Sequence, residues 1–490
     1  MKHVLAIDEG TTGVTCLVVA EDGRVVGRAY REITQHYPQP GWVEHDADEI
    51  ARHTIDAARR AIDGAAATPD AVGITNQRET VVIWDRETGR ALHRAIVWQD
   101  RRTAERCLEL APNADFLSAR TGLVVDPYFS ATKLEWLLTQ DGLLDRYDPE
   151  QLAAGTIDSW LIWQLTGGTA HVTDPTNASR TMLFDIDAMK WSFELSALFG
   201  IPLSILPAVR PSSGEFGVTS GDVLGAEIPI LGVAGDQQAA LYGQGCWLNG
   251  EGKNTYGTGA FLLMNAGRQR PASAPGLLTT VACDAAGGPV YALEAAIFIA
   301  GAAVQWLRDA VGMIDEARET ESLARSLHSN DGVYFVPALV GLGAPNWEPK
   351  ARGTIVGLTR GTGRAHLARA ALEAMAYGTY DVLELMSACA KTRFERLRVD
   401  GGATENDWLL QFQADVLGVP VERPDVIETT ALGAAGLAGV AAGVWPNAES
   451  FLGARRFTTF QPGNGAIAAR EGLTGWARAV RTALAWARET

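Results

Sequence analysis

The sequence predicts an α/β protein made of two related domains. Three observations lead there. Apolar runs of four to six residues alternate with longer stretches of helical spacing. Each half opens the same way: a strand, a Gly/Thr turn and a second strand, around Asp8-Glu9-Gly10-Thr11-Thr12-Gly13 and again around Gly257-Thr258-Gly259. The length of 490 residues is more than one core normally serves. Periodicity breaks at Trp247–Gly252, which divides the chain into 1–248 and 249–490. Two such domains are expected to face each other across a cleft.

In chain order, Val4–Ile7 and Cys16–Ala20 read as strands around the first turn, and Ala71–Thr75 with Thr80–Trp84 as a second pair. Helical spacing covers Asp48–Ala61, Tyr128–Leu138 and Ser159–Leu165. Pro207–Gly217, rich in Pro, Ser and Gly, reads as a surface loop. Ile228–Val233 is a buried strand running into Gly235-Asp236. Past the break come the strand before Gly257, a loop at Gly267–Gly276, a long helix at His366–Ala388, a strand–turn–helix unit around Asp400-Gly401-Gly402, and a terminal helix at Gly472–Arg488.

Composition excludes several classes. With 47% hydrophobic and 20% charged residues the chain is an ordinary globular protein and not a disordered one. Its 42 basic and 58 acidic residues give a net charge of −16, which repels nucleic acid and anionic membrane while leaving room for a small-anion pocket. Five scattered cysteines without a C-x-x-C pattern signal neither a disulfide framework nor zinc. The apolar run after Met1 is too short for a signal-peptide core, and Ala431–Trp445 is too short to span a membrane. A cytoplasmic enzyme is expected.

Five motifs carry chemistry, and each also has a plainer reading. Asp8–Gly13 joins turn glycines to threonine hydroxyls, a natural phosphate cradle, and Asp8 at a strand end suits a phosphate-bound Mg²⁺, directly or through water. The plain reading is a hairpin. Gly257-Thr258-Gly259 repeats the arrangement. Asp400-Gly401-Gly402 before a helix permits close approach by a base or phosphate, or is simply a βα turn capped by Asn406 or Asp407. Asp236 stands at a strand C-terminus, where it acts as a general base, caps the next helix, or does both. Arg78-Glu79 suits the hydroxyls of a polyol or forms a solvated turn.

Longer stretches fall in a telling order: Gly41–Asp46, Asn76–Thr80, Ile96–Arg102, Asp126–Gln140, Val172–Met182, Gly235–Leu241, Asn254–Gly259 and Gly353–Glu373. Together they resemble the FGGY carbohydrate kinases of the actin-like ATPase superfamily, and within them the branch that phosphorylates glycerol. The resemblance implies two actin-like (ribonuclease H-like) domains across a hinged cleft. It implies ATP-dependent phosphorylation of glycerol to sn-glycerol 3-phosphate with Mg²⁺, in glycerol catabolism. It implies a homo-oligomer without nucleic-acid or integral-membrane partners. By position, Asp236 resembles the general base. Arg78, Glu79, Tyr128 and Gln237 resemble the hydroxyl-binding set, and Trp98 and Phe261 the apolar wall. Thr11, Thr12, Gly13 and Thr258 match phosphate-loop positions; Gly301, Gln305, Gly402 and Asn406 match the nucleoside side. Arg78-Glu79 favours glycerol over a pentulose.

Two departures stand out. The family's first loop usually reads Asp-Gln-Gly-Thr-Thr-Ser-x-Arg. Here Glu9 replaces the Gln and Thr15 the Arg, which removes a cation. Before Ile228, Glu227 stands where some relatives carry an Arg that binds fructose 1,6-bisphosphate, so no such inhibition is expected. Ser212–Val218 also lacks the His that other relatives phosphorylate. Two rival readings remain: a kinase of another small polyol or ketose, and a weakened nucleotide-binding regulatory homologue, suggested by Thr15.

Overall fold

The structure, a computed structural model, describes residues 1–488. The chain forms two compact units. The first comprises Met1–Trp247, Thr279–Tyr291 and Glu428–Arg455; the second comprises Leu248–Leu278, Ala292–Ile427 and Arg456–Thr490, described to Arg488. The expected cut at 248/249 falls beside the Trp247–Leu248 break, while two later segments return to the first unit. One of them holds the helix Thr429–Ala441, built almost wholly of Ala, Gly, Leu and Thr. Side chains this small let the helix lie flat against the first unit's sheet, which explains a charge-free run too short to span a membrane.

The first unit's main sheet contains β1 (His3–Glu9), β2 (Gly13–Ala20), β3 (Val25–Glu32), β4 (Ala71–Asn76), β5 (Ser213–Val218) and β6 (Pro229–Gly235), in the order β5-β6-β4-β1-β2-β3. β1 runs antiparallel to β2 and parallel to β4, and β4 runs parallel to β6. In this register Glu9 and Gly235 both stand beside Asn76. Three strands therefore end level, and their C-terminal residues converge. Leu5, Ile7, Val72 and Ile74 are fully buried and fix the register.

The second unit repeats the plan. β7 (Glu251–Tyr256) pairs antiparallel with β8 (Ala260–Gly267) and parallel with β9 (Arg396–Asp400), followed by β10 (Val421–Pro424) and β11 (Phe457–Phe460). The echo between the two Gly/Thr turns is thus a repeat of topology. The long helix spans Arg364–Ala390 and the terminal helix Ala466–Arg488.

Two expectations are corrected. Ala71–Asn76 and Val81–Asp85 are not a pair: the second strand leaves the main sheet and pairs with Leu152–Thr156 in another. The turn between them carries Arg78 and Glu79, with Glu79 at φ +63°. The stretch 207–217 is not only a loop. Ser213–Val218 is an edge strand beside β6, with Phe216 buried beneath it. A bulge and a single buried apolar side chain hide its alternation. All five cysteines are free and buried. Among the described residues no helix is long and apolar enough to cross a membrane.

Beneath the strand ends lies a buried carboxylate pair. Asp158 accepts from the hydroxyls of Thr156 (2.5 Å) and Thr173 (2.6 Å). Burial, reinforced by Asp174, pushes its carboxyl up to about 7, more than those hydrogen bonds offset. The folded state therefore holds a proton that the unfolded chain releases near pH 3.8. This contribution to stability is present below pH 3.8 and is lost as pH rises towards 7. Asp158→Asn should shrink the fall in unfolding free energy across that window, as read by urea titrations at pH 4.5 and 7.5.

Candidate active site

The level strand ends place Asp8, Glu9, Gln77 and Asp236 in one polar cluster. Asp236 is the first residue of the helix Asp236–Gly243; the cap position is Gly235 and no side chain caps that end, so Asp236 is not the capping residue, and its Oδ1 accepts from Gln237 N (2.6 Å). Its side chain is one-third exposed, and Arg78 Nε lies 3.2 Å from Oδ1. A Cβ on Gly235 would stand 2.7 Å from Arg78 Cγ, so glycine there lets the arginine side chain pass. Arg78 also donates to Gln238 Oε1 (3.3 Å) and lies 3.8 Å from Glu79 Oε1.

Glu79 is 1% exposed and bound by Arg180, whose Nε donates to Oε1 at 2.6 Å. The Arg180 guanidinium lies over the rings of Tyr128 (5.6 Å) and Phe129 (5.2 Å). Tyr128 meets Trp98 edge to face at 5.6 Å. Trp98 Nε1 donates to Thr11 Oγ1 (2.9 Å), which ties the aromatic wall to the first Gly/Thr turn. That turn is closed by Gly10 N donating to Gly13 O (3.0 Å).

The electrostatics are set by burial. Asp8 is pushed up to about 7, by burial first and by the negative charge of Asp236 second. Glu9 is fully buried, and burial holds its carboxyl well above the usual range. Its Oε1 accepts from Gln77 Nε2 (3.0 Å), while its Oε2 has no partner.

Several residues here had no role assigned from sequence. Lys133 is fully buried and donates to the carbonyls of Tyr128 (2.6 Å) and Phe129 (2.9 Å). Burial brings its ammonium down to about 7, against the pull of Glu79. Asn76 and Asn177 exchange side-chain hydrogen bonds (3.0 and 3.1 Å). Asp174 accepts from Thr176 Oγ1 (3.0 Å), which in turn accepts from Gly235 N (2.8 Å). This buried truss holds the backbone just before Asp236. The one sequence signal for it is Asp174-Pro175, the signature of a capped helix start.

In the second unit, Thr258, Gly301, Gln305, Gly402 and Asn406 line one cavity of about 470 Å³. Its volume suits a small organic ligand. The Gly257–Gly259 turn is closed by Gly257 N donating to Gly259 O (2.8 Å), and its carbonyls receive N–H groups from Ala300, Gly301 and Ala302. The turn therefore caps the helix Gly301–Asp309. Asn406 caps the helix Asp407–Leu417 by accepting from Leu409 N, and its Nδ2 donates to Thr320 Oγ1 (3.2 Å). Leu372 and Met375, one turn apart on the long helix, add an apolar wall, and Arg308 and Arg318 add positive charge; none of these four was foreseen. Phe261, expected in the apolar wall, is 38% exposed in the second unit.

Comparison with known proteins agrees with this layout. The models for the FGGY carbohydrate kinases match over the N-terminal domain at residues 3–243 and the C-terminal domain at 252–442. A glycerol kinase of Dechloromonas aromatica is 54% identical, covering 100% of this chain and 99% of the relative. Glycerol kinase 2 of Thermotoga maritima is 51% identical, covering 99% of both. The crystal structure of Plasmodium falciparum glycerol kinase with ADP superposes with a TM-score of 0.93 at 35% identity, covering 99% of this chain and 98% of that one. Xylulose kinase from Lactobacillus acidophilus shares the fold at a TM-score of 0.86 and 20% identity, covering 99% of each. Two matched domains, full-length relatives at over half identity and the repeated actin-like plan together establish that this chain is an enzyme belonging to the FGGY family of carbohydrate kinases.

Proposed function

We propose that the chain phosphorylates glycerol from ATP, with Asp236 as general base. The observation that carries this reading is the alternation of donor and acceptor around Asp236: Arg78 at 3.2 Å, then Glu79 fixed by Arg180, beside the Trp98–Tyr128 wall. Three adjacent hydroxyls require donors and acceptors in turn, and a carbon chain requires an apolar face. The glycerol kinases that match over the full chain support the same substrate.

In the reaction a primary hydroxyl oxygen bonds to the γ-phosphorus of ATP, and the bond from that phosphorus to the β,γ-bridging oxygen breaks. ADP leaves, and Asp236 takes the hydroxyl proton. Arg78 and Glu79 hold the alcohol so that the attacking oxygen lies near the base, since positioning supplies most of the rate in phosphoryl transfer. The Thr11–Gly13 turn offers N–H and hydroxyl donors to the phosphates, and the second unit's cavity suits the nucleoside.

Mg²⁺ fits the first unit's cluster. Among the described residues no set of three or more His, Cys, Asp or Glu forms a metal cage. Mg²⁺ bound with phosphate needs only one or two carboxylates, and the raised Asp8 beside Asp236 marks a place short of positive charge. Asp8 would hold the ion, which neutralises charge on the phosphates when bound.

The test is ADP release from ATP with glycerol, propane-1,2-diol and a ketopentose. Glycerol should exceed the other two in kcat/KM by at least about two orders of magnitude, because an absent hydroxyl leaves buried Arg and Glu groups unpaired. A ketopentose turned over faster than glycerol would overturn the reading.

A further inference from the structure

We infer that Tyr30 is a triphosphate-binding residue of the first Gly/Thr turn and takes the part that a cation would otherwise play there. The inference rests on the turn being a phosphate loop, as proposed above. From Asp8 to Thr15 the turn and its flanks contain two acids and no Lys or Arg, so the segment that is to hold a polyanion offers no positive charge of its own. Burial of Asp8 and Glu9 mutes part of that negative charge but adds no attraction.

Tyr30 fills this gap by geometry. In the β2–β3 register it pairs directly with Thr15. Side chains alternate along a strand, so Gly13, Thr15 and Tyr30 share one face of the sheet. The Tyr30 ring leans along that face onto Gly13: a Cβ at Gly13 would stand 2.6 Å from Tyr30 Cε2 and 2.6 Å from Arg31 O. Glycine at 13 is therefore the residue that admits the ring. At the ring's end the Tyr30 hydroxyl donates to Thr12 O at 3.4 Å, a long bond. That carbonyl already accepts from Ile33 N at 3.0 Å. The hydroxyl is thus held over the turn but only loosely engaged, and Tyr30 as a whole is 51% exposed. It can turn to a phosphate oxygen and leave Thr12 O satisfied by Ile33. The phenol supplies a directed donor without the charge that Asp8 and Glu9 would pair with and draw away from the ligand.

The test is Tyr30→Phe, which keeps the ring packed on Gly13 and removes only the hydroxyl. A hydrogen bond to an anionic oxygen is worth about tenfold in affinity. The KM for ATP at saturating glycerol should rise about tenfold, while the KM for glycerol and the melting temperature stay unchanged. Calorimetric titration should show the same loss for ATP and none for adenosine. An ATP affinity within twofold of wild type, or equal weakening of ATP and adenosine, would overturn the inference. The calorimetric arm needs no turnover, so it reads Tyr30 even if glycerol proves not to be the acceptor.

Discussion

Replacing Asp236 by asparagine is expected to lower glycerol-dependent ADP release by about 10²- to 10⁴-fold, the range that a positioned general base contributes. The substitution keeps the shape of the side chain and an oxygen that can accept from Gln237 N. It removes the proton acceptor and the ion pair with Arg78. The loss should fall mainly on kcat. KM for ATP should hardly change, because the cavity proposed above for the nucleoside lies in the other unit, lined by Thr258, Gly301 and Asn406. Steady-state kinetics on purified variant and wild type decide the matter. A variant within tenfold of wild type would remove Asp236 from the chemistry.

Arg180→Met should destabilise the first unit by about 3–5 kcal/mol, the usual result of stripping one partner from a buried ion pair. Arg180 is fully buried and Glu79 nearly so. Without Arg180, the Glu79 carboxylate loses its 2.6 Å ion pair, and Arg78, 3.8 Å away, is itself paired with Asp236. Glycerol KM should rise with the loss of stability, since Glu79 would no longer be held in place. Urea unfolding followed by tryptophan fluorescence reads the first effect and glycerol titration the second. A loss below about 1 kcal/mol would mean that water or other partners hold Glu79.

The parts legible in the sequence are those written as local pattern. The opening strands, the Gly/Thr turns, the strand into Asp236 and the long helix all carry periodicity or turn chemistry that neighbouring residues reveal. The structure brings Arg78, Glu79 and Asp236 together because the three strand ends are level. The less legible parts depend on distant partners. Arg180 reaches Glu79 across 101 positions, and Thr176 reaches Gly235 across 59. No periodicity marks a polar side chain as buried when its partner lies so far along the chain. The strand expected at Thr80–Trp84 does not pair with Ala71–Thr75 for the same reason: its neighbours begin at Ala95 and Leu152. The return of Glu428–Arg455 to the first unit is likewise a matter of tertiary packing, which the small residues of its helix permit but do not announce.

The proposed reaction moves the γ-phosphoryl group from ATP to a primary hydroxyl oxygen of glycerol. Phosphorus NMR of the protein with ATP, glycerol and magnesium tests it most directly. One ADP and one primary phosphomonoester are expected for each ATP consumed, with no turnover when glycerol is left out. Free phosphate appearing at the same rate with or without glycerol would contradict it.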